Sequence, residues 1–215
     1  MKTVVFVPIK LDNQRLPGKN LLDLCGKPLC SYIFNTVQSL ATVDEKYVYC
    51  SDEKIRGYIP QGIELLIRDA SLDTPETKGT DIIGAFIKDV DADIYIITHA
   101  TQPFTKSASI EAALQKVRSG DYDSAFSAVE IQDYCWYDGK PLNYSMDNVV
   151  ATQYLKPVYM ETGAFFIFRK EVFTSLGRRI GERPYMYIVD AFEAIDVDTA
   201  EDFRLAEAVA AYLEK

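Results

Sequence analysis

Short apolar runs alternate along the chain with longer amphipathic stretches, and this rhythm predicts the elements. Strands are expected at residues 3–8, 47–51, 64–68, 94–98, 125–131, 163–168 and 186–189. Several of these runs are almost continuously apolar, as strands covered on both faces are. Helices are expected at residues 29–40, 81–90, 107–118, 170–176 and 200–213. The order implies an α/β fold with a mostly parallel sheet, its two faces covered by right-handed crossovers. In such sheets ligands bind beyond the carboxyl ends of the strands. That rule singles out residues 8–20, 68–81 and 99–104 and the stretch ending at Asp198.

Residues 132–156 break the alternation. They carry Tyr134, Trp136, Tyr137, Tyr144 and Tyr154 among turn residues such as Asp138-Gly139. The pattern reads as a hairpin excursion. It serves either as an aromatic partner surface or as a hairpin folded back on its own domain.

With 215 residues the chain can bury a sizeable core, and a single domain over 1–215 is expected. Its net charge of −9 argues against a nucleic-acid partner. No apolar run reaches the roughly 18–20 residues that span a bilayer. The first ten residues read as a strand and not as a leader, so a cytoplasmic location is expected. Cys25, Cys30, Cys50 and Cys135 form no C-x-x-C pair and there is one histidine. They read as small buried hydrophobes, not as a zinc site or a disulfide framework.

Against the acidic background, Lys10, Arg15 and Lys19 fall within ten positions after the first strand. A loop of cations, turn formers and an Asn can wrap a triphosphate, with side chains neutralising charge and N–H groups capping oxygens. It is neither a Walker A loop nor a Gly-rich dinucleotide fingerprint. An ordinary solvated loop is the alternative.

A second feature is Ile195-Asp196-Val197-Asp198-Thr199. In an extended segment, positions i and i+2 share a side, so Asp196 and Asp198 project together while Ile195 and Val197 face the core. Two carboxylates completed by substrate phosphates are a common Mg²⁺ site. Alternatively the acids only favour the N-terminus of the next helix. Thr199 is a candidate cap for that helix, with Asp202 in its first turn.

These features resemble the acylneuraminate cytidylyltransferase family, which includes CMP-sialic acid synthetases and is related to Kdo cytidylyltransferases. The family loop runs Pro-Ala-Arg-Gly-Gly-Ser-Lys-Arg-x-Pro-x-Lys-Asn and is followed by Gly-Lys-Pro-Leu. This chain matches it without a gap at Pro8, Arg15, Pro17, Lys19 and Asn20, and at Gly26-Lys27-Pro28-Leu29. Lys10 stands where the family has Arg, Leu11-Asp12-Asn13 replaces Gly-Gly-Ser, and Gln14 replaces a Lys. The loop is thus less cationic, and Lys10 lacks the planar fork of an Arg. The family's Pro-Tyr-x-Tyr-x-Ile strand and Ile-Asp-x-Asp match corresponds to Pro184-Tyr185-Met186-Tyr187-Ile188 and the Asp pair.

The resemblance implies a three-layer α/β/α Rossmann-like nucleotidyltransferase fold with a mixed, mostly parallel sheet and a small hairpin excursion. It implies CMP transfer from CTP to an acidic sugar with release of pyrophosphate. Lys19, Arg15, Asp196 and Asp198 would be catalytic, the two aspartates holding magnesium. Pro8, Lys10, Arg15, Lys19 and Asn20 would hold the nucleotide, with Arg68 and Thr80 as candidates for the base; a helix N-cap is the other reading of Thr80. His99, Thr101, Gln102 and Thr162 would face the sugar, where His99 replaces a Gln and Thr162 an Asn of the family. A homodimer formed through residues 132–156 is also implied. Two alternatives remain: a nucleotidyltransferase with another base or acceptor, and a non-catalytic sugar-nucleotide binding protein.

Overall fold

A computed structural model describes residues 1–213; residues 214–215 of the expected domain lie outside the described residues. The chain begins with β1 (Thr3–Ile9), then β2 (Asp23–Leu24), β3 (Lys27–Pro28), α1 (Leu29–Gln38), β4 (Glu45–Cys50), β5 (Glu64–Ile67) and α2 (Gly79–Asp89). It continues with β6 (Ile94–Ile97), α3 (Ser107–Arg118), β7 (Ser124–Ile131), β8 (Trp136–Tyr137), β9 (Lys140–Pro141) and β10 (Val158–Arg169). It closes with α4 (Lys170–Leu176), β11 (Pro184–Ile188) and α5 (Ala200–Leu213).

Seven strands form one sheet in the order β11-β7-β10-β6-β1-β4-β5. Only β10 runs antiparallel, against both β6 and β7; the remaining pairings are parallel. The mixed, mostly parallel sheet is therefore present. Successive residues of β1 face opposite layers. Val5, Val7 and Ile9 pack with Ile33 and Phe34 of α1 and Ile110 and Leu114 of α3. Val4 and Phe6 pack with Ile83 and Phe86 of α2 and Val172 of α4. The second layer is aromatic: Phe6 stacks on Phe86 at 4.0 Å and Tyr95 on Phe168 at 5.8 Å. Burying each such ring is worth about 2–3 kcal/mol.

β1 is central and yet carries Pro8. Phe6 points its carbonyl at β6, accepting from Thr98 N at 3.3 Å. Pro8, two residues on, faces the same side, but the pairing with β6 ends at Phe6↔Ile97. The proline thus costs no ladder bond.

The structure departs from the expected elements in three places. The strand expected at 163–168 is the longer β10, and its N-terminal part leaves the sheet with β7 as a two-stranded ribbon. At the root of the ribbon, Thr162–Phe165 bulge opposite Ser127. The Thr162 hydroxyl donates to Ser127 Oγ (2.7 Å), which also accepts from Phe165 N–H (3.1 Å). Above the root, β8 and β9 form the excursion's hairpin, turned at Asp138-Gly139 with φ of 49° and 70°, the left-handed pair a type I′ turn requires. β2 and β3 were not expected; they pair across Cys25-Gly26, whose φ values are 51° and 86°. Finally, α2 starts at Gly79. The N-cap is Lys78, whose backbone N–H donates to Asp81 Oδ2 at 2.8 Å. Thr80 is therefore inside the first turn and is not the cap.

Candidate active site

The chain leaves β1 for β4 through α1 on one side, while β6 joins β1 on the other. This reversal of strand order opens a crevice above the ends of β1 and β6. Three segments meet there: the loop 10–20, the turn 98–104 and the segment 195–198.

The last of these is extended without being a strand. Val197 is fully buried, and its N–H donates to the Thr101 carbonyl at 2.8 Å. Asp196 and Asp198 flank this anchor. The start of α5 fixes Asp198: Asp202 Oδ2 accepts from Asp198 N (3.1 Å) and Thr199 N (2.8 Å), and Asp202 N–H donates to Thr199 Oγ1 (3.3 Å). This is the capping box expected of Thr199. On the other flank, Glu193 is buried at the N-terminus of α3, accepting from Lys106 N at 2.9 Å and Ser109 Oγ at 3.0 Å. A cap at each end thus aims the aspartates.

Lys19 is 7% exposed. Its ammonium donates to Asp198 Oδ1 (2.7 Å) and to the Val197 carbonyl (2.9 Å). Arg15 reaches Asp198 Oδ2 at 2.7 Å. Two of the three expected phosphate cations therefore converge on an expected metal carboxylate. Lys10, Arg15 and Lys19 line a cavity of about 200 Å³. Lys10 is also bonded to the carbonyl of Asp73. Asn20 donates to the Lys10 carbonyl at 2.8 Å, leaving its own carbonyl oxygen buried without a partner among the described residues.

Asp196 keeps exposed surface, but protein atoms crowd its carboxylate. This burial pushes its pKa above the ordinary value, and the charge of Asp198 adds to the rise; the Thr101 hydroxyl, Lys19 and His99 oppose it. The His99 ring nitrogen Nδ1 lies 2.7 Å from the Gly163 carbonyl. A carbonyl only accepts, so Nδ1 carries the proton and Nε2 the lone pair. Burial lowers the pKa of His99, the Gly163 contact opposes this, and Arg179 lowers it further. The imidazole is neutral at pH 7.

Other expected contacts are placed differently. Arg68 is 4% exposed. It donates to the Tyr49 carbonyl at 2.9 Å and to Asp73 Oδ1 at 2.5 Å, so its guanidinium braces the ends of β4 and β5. Arg68 and Thr80 do share a cavity of about 570 Å³ with Tyr49 and Phe173. Thr162, expected at the sugar, is buried, and its hydroxyl donates to Ser127 Oγ at the bulge. Gln102 is likewise buried, its amide against Gly163. Its side-chain carbonyl oxygen has no partner among the described residues. Of the residues expected at the sugar, His99 and Thr101 stand beside Asp196.

The sequence reading missed Asp73 and Arg179. Asp73 gathers Lys10, Ser51 and Arg68 at the ends of β1, β4 and β5. Its only sequence signal is its place in the segment after β5. Arg179 lies 3.5 Å over the ring of Phe166 and 3.1 Å from Glu161. It follows α4, far in sequence from Lys10, Arg15 and Lys19, and its neighbour Arg178 is the one local signal of charge there.

Among the described residues, no three His, Cys, Asp or Glu side chains cluster as a self-sufficient metal site. No described helix is long and apolar enough to cross a membrane.

A cavity lined by Lys10, Arg15 and Lys19 beside paired carboxylates, at the switch point of an α/β sheet, is the layout of the nucleotide-binding class of α/β folds. The cytidylyltransferase family model matches residues 4–207, and the chain belongs to that family. It is 29% identical to the N-acylneuraminate cytidylyltransferase of Streptococcus agalactiae, over 94% of this chain and 52% of that protein. The chain thus spans about half the length of this relative. It is 26% identical to a 3-deoxy-manno-octulosonate cytidylyltransferase of Escherichia coli, over 80% of this chain and 74% of that one. The structure of CMP:2-keto-3-deoxy-manno-octonic acid synthetase complexed with CTP superposes with a TM-score of 0.74 at 20% identity. That match covers 99% of this chain and 100% of the other, and it shows the Rossmann-like fold.

Proposed function

We propose that the chain transfers CMP from CTP to a hydroxyl of an acidic sugar, a sialic acid or related nonulosonic acid, and releases pyrophosphate. The carrying observation is the convergence of Lys19 and Arg15 on Asp198, with Asp196 beside it in the crevice. The acceptor oxygen forms a bond to the α-phosphorus as the bond to the α–β bridging oxygen breaks; pyrophosphate leaves with that oxygen, and the hydroxyl proton passes to solvent. Lys19 and Arg15 neutralise charge on the phosphates, which is the main demand of phosphoryl-type chemistry. Lys19 is already held in place by Asp198 and the Val197 carbonyl, so little ordering of it remains when the nucleotide arrives.

The donor set fits Mg²⁺. Asp196 and Asp198 offer hard carboxylate oxygens, and two carboxylates completed by phosphates and water are the usual arrangement for this ion. The crowding that disfavours a bare charge on Asp196 is relieved by a cation. Bound there, Mg²⁺ would polarise the α-phosphate and the attacking oxygen.

The aromatic excursion supports a homodimer. Trp136, Tyr137 and Tyr154 are 55%, 75% and 74% exposed, and Met160 on the ribbon is 51% exposed. A second copy of the chain is the occupant we propose for this surface.

The test is pyrophosphate release with CTP, Mg²⁺ and a panel of nonulosonic acids. Release that requires both CTP and one acid supports the reading. Nucleotide binding without release for every nucleotide–acid pair would make the chain a binding protein.

A further inference from the structure

A cavity of about 510 Å³ lies between the first turn of α2 and the segment after α4. That volume falls within the roughly 300–1,000 Å³ typical of small-molecule sites. Lys78, Arg178 and Arg179 bring positive charge to its wall, against one carboxylate, Glu161. In a chain of net charge −9 this is a second local concentration of cations, separate from the loop 10–20.

The cations differ in their readiness to bind. Arg178 pairs with Glu182 one helical turn's spacing away. Arg179 lies flat over Phe166, 3.5 Å from the ring centroid, and Phe166 is 1% exposed. The rigid ring fixes the plane of the guanidinium, so its fork is ordered before any ligand arrives. One arm of the fork meets Glu161 at 3.1 Å. Both partners keep solvent access, with side-chain exposures of 33% and 44%. An exposed pair of this kind is worth only about 0–1 kcal/mol and is readily exchanged for another carboxylate.

The same ring links this cavity to the crevice. Phe166 meets the His99 ring edge-on at 6.4 Å. The charges of Arg179 and Asp196 both act on His99.

Resting on the CMP-transfer reading, we propose that Arg179 recognises the carboxylate of the acceptor acid. The ligand carboxylate replaces Glu161 on the stacked guanidinium. This places the acid group in the cavity against α2 and leaves the reacting hydroxyl toward Asp196. A neutral sugar has no group to displace Glu161, so the exchange also selects for acids.

The experiment titrates the parent chain, Arg179→Ala, Arg179→Lys and Glu161→Gln with N-acetylneuraminate, 3-deoxy-manno-octulosonate and the methyl ester of each. Calorimetry reads the affinities, and CTP affinity and thermal melting are measured beside them. Arg179→Ala is expected to weaken acid binding at least tenfold with CTP affinity unchanged, and Arg179→Lys to recover part of the loss. The parent should bind the esters as weakly as Arg179→Ala binds the acids. Glu161→Gln should tighten acid binding several-fold, because the competing carboxylate is gone; a role confined to holding the fold would give the opposite sign. Equal acid affinity in the parent and Arg179→Ala, weaker binding in Glu161→Gln, or a parent that binds neither acid overturns the proposal. Pyrophosphate release is scored separately. Acid binding through Arg179 without release refutes CMP transfer alone. Release with an acid preference indifferent to Arg179 refutes only the carboxylate site.

Discussion

Lys19 Nζ stands 2.7 Å from Asp198 Oδ1, joining residues 179 positions apart. The contact ties the loop after the first strand to the segment before the last helix. The ammonium is nearly buried, so the pair both closes the fold and sets the charge of the crevice.

Replacing Lys19 by Met therefore tests two effects at once. The variant loses hydrogen bonds to a carboxylate and to the Val197 carbonyl, each of the charge-assisted kind worth about 1.5–3 kcal/mol. Urea unfolding is expected to show a loss of about 2 kcal/mol, because Asp198 keeps some solvent. Pyrophosphate release should fall by about 10²–10³, as when one charge stabiliser is removed from an active site. A variant with parental turnover would show that Lys19 only closes the fold.

Asp196→Asn separates stability from turnover. Crowding holds the pKa of the Asp196 carboxyl above its unfolded value. The folded state therefore binds this proton more tightly, and the charged form costs stability as pH rises. Below about pH 4, where the unfolded carboxyl is protonated, the penalty is absent; it is complete above the folded value. In metal-free buffer the Asn variant should be as stable as the parent at pH 3.5 and more stable at pH 7, while Mg²⁺-dependent release is abolished. Thermal melts across this range check the sign. A variant that loses stability as pH rises contradicts the assignment, and retained Mg²⁺-dependent turnover removes Asp196 from the metal site.

Asp73→Ala should damage the nucleotide side from beneath. Arg68 has a side chain only 1% exposed and takes its charge partner from Asp73. Removing that partner leaves a buried guanidinium with the Tyr49 carbonyl and costs about 3 kcal/mol. The hydrogen bond from Ser51 Oγ to the Asp73 carboxylate is lost as well, while the backbone carbonyl that accepts from Lys10 remains. The expected outcome is a lower urea midpoint together with a raised KM for CTP. An unchanged KM would limit Asp73 to bracing the strand ends.

On the ribbon, Met160→Glu introduces a charge into an exposed apolar face. Sedimentation at micromolar concentration should find the parent as a dimer and the variant as a monomer with parental secondary structure. A monomeric parent would remove the dimer reading and leave the excursion as an appendage of its own domain.

Much of this molecule is legible in its sequence because the relevant forces are local. The apolar runs and amphipathic stretches locate nearly every strand and helix of the main sheet, since burial on two faces or on one leaves a period. Thr199 and Asp202 announce their capping box, which needs a spacing of three residues and nothing more distant. The cations Lys10, Arg15 and Lys19 and the acids Asp196 and Asp198 are singled out by the resemblance of their segments to the family's motifs, since spacing alone left a solvated loop and a helix terminus as alternatives. Tertiary structure alone decided what these groups touch. The reversed direction of β10, the bulge that buries Thr162, the clamp of Asp73 on Arg68, and Arg179 over Phe166 all join residues distant in sequence. Hydrophobic period specifies which face a residue presents, but not which distant charge or ring will be packed against it.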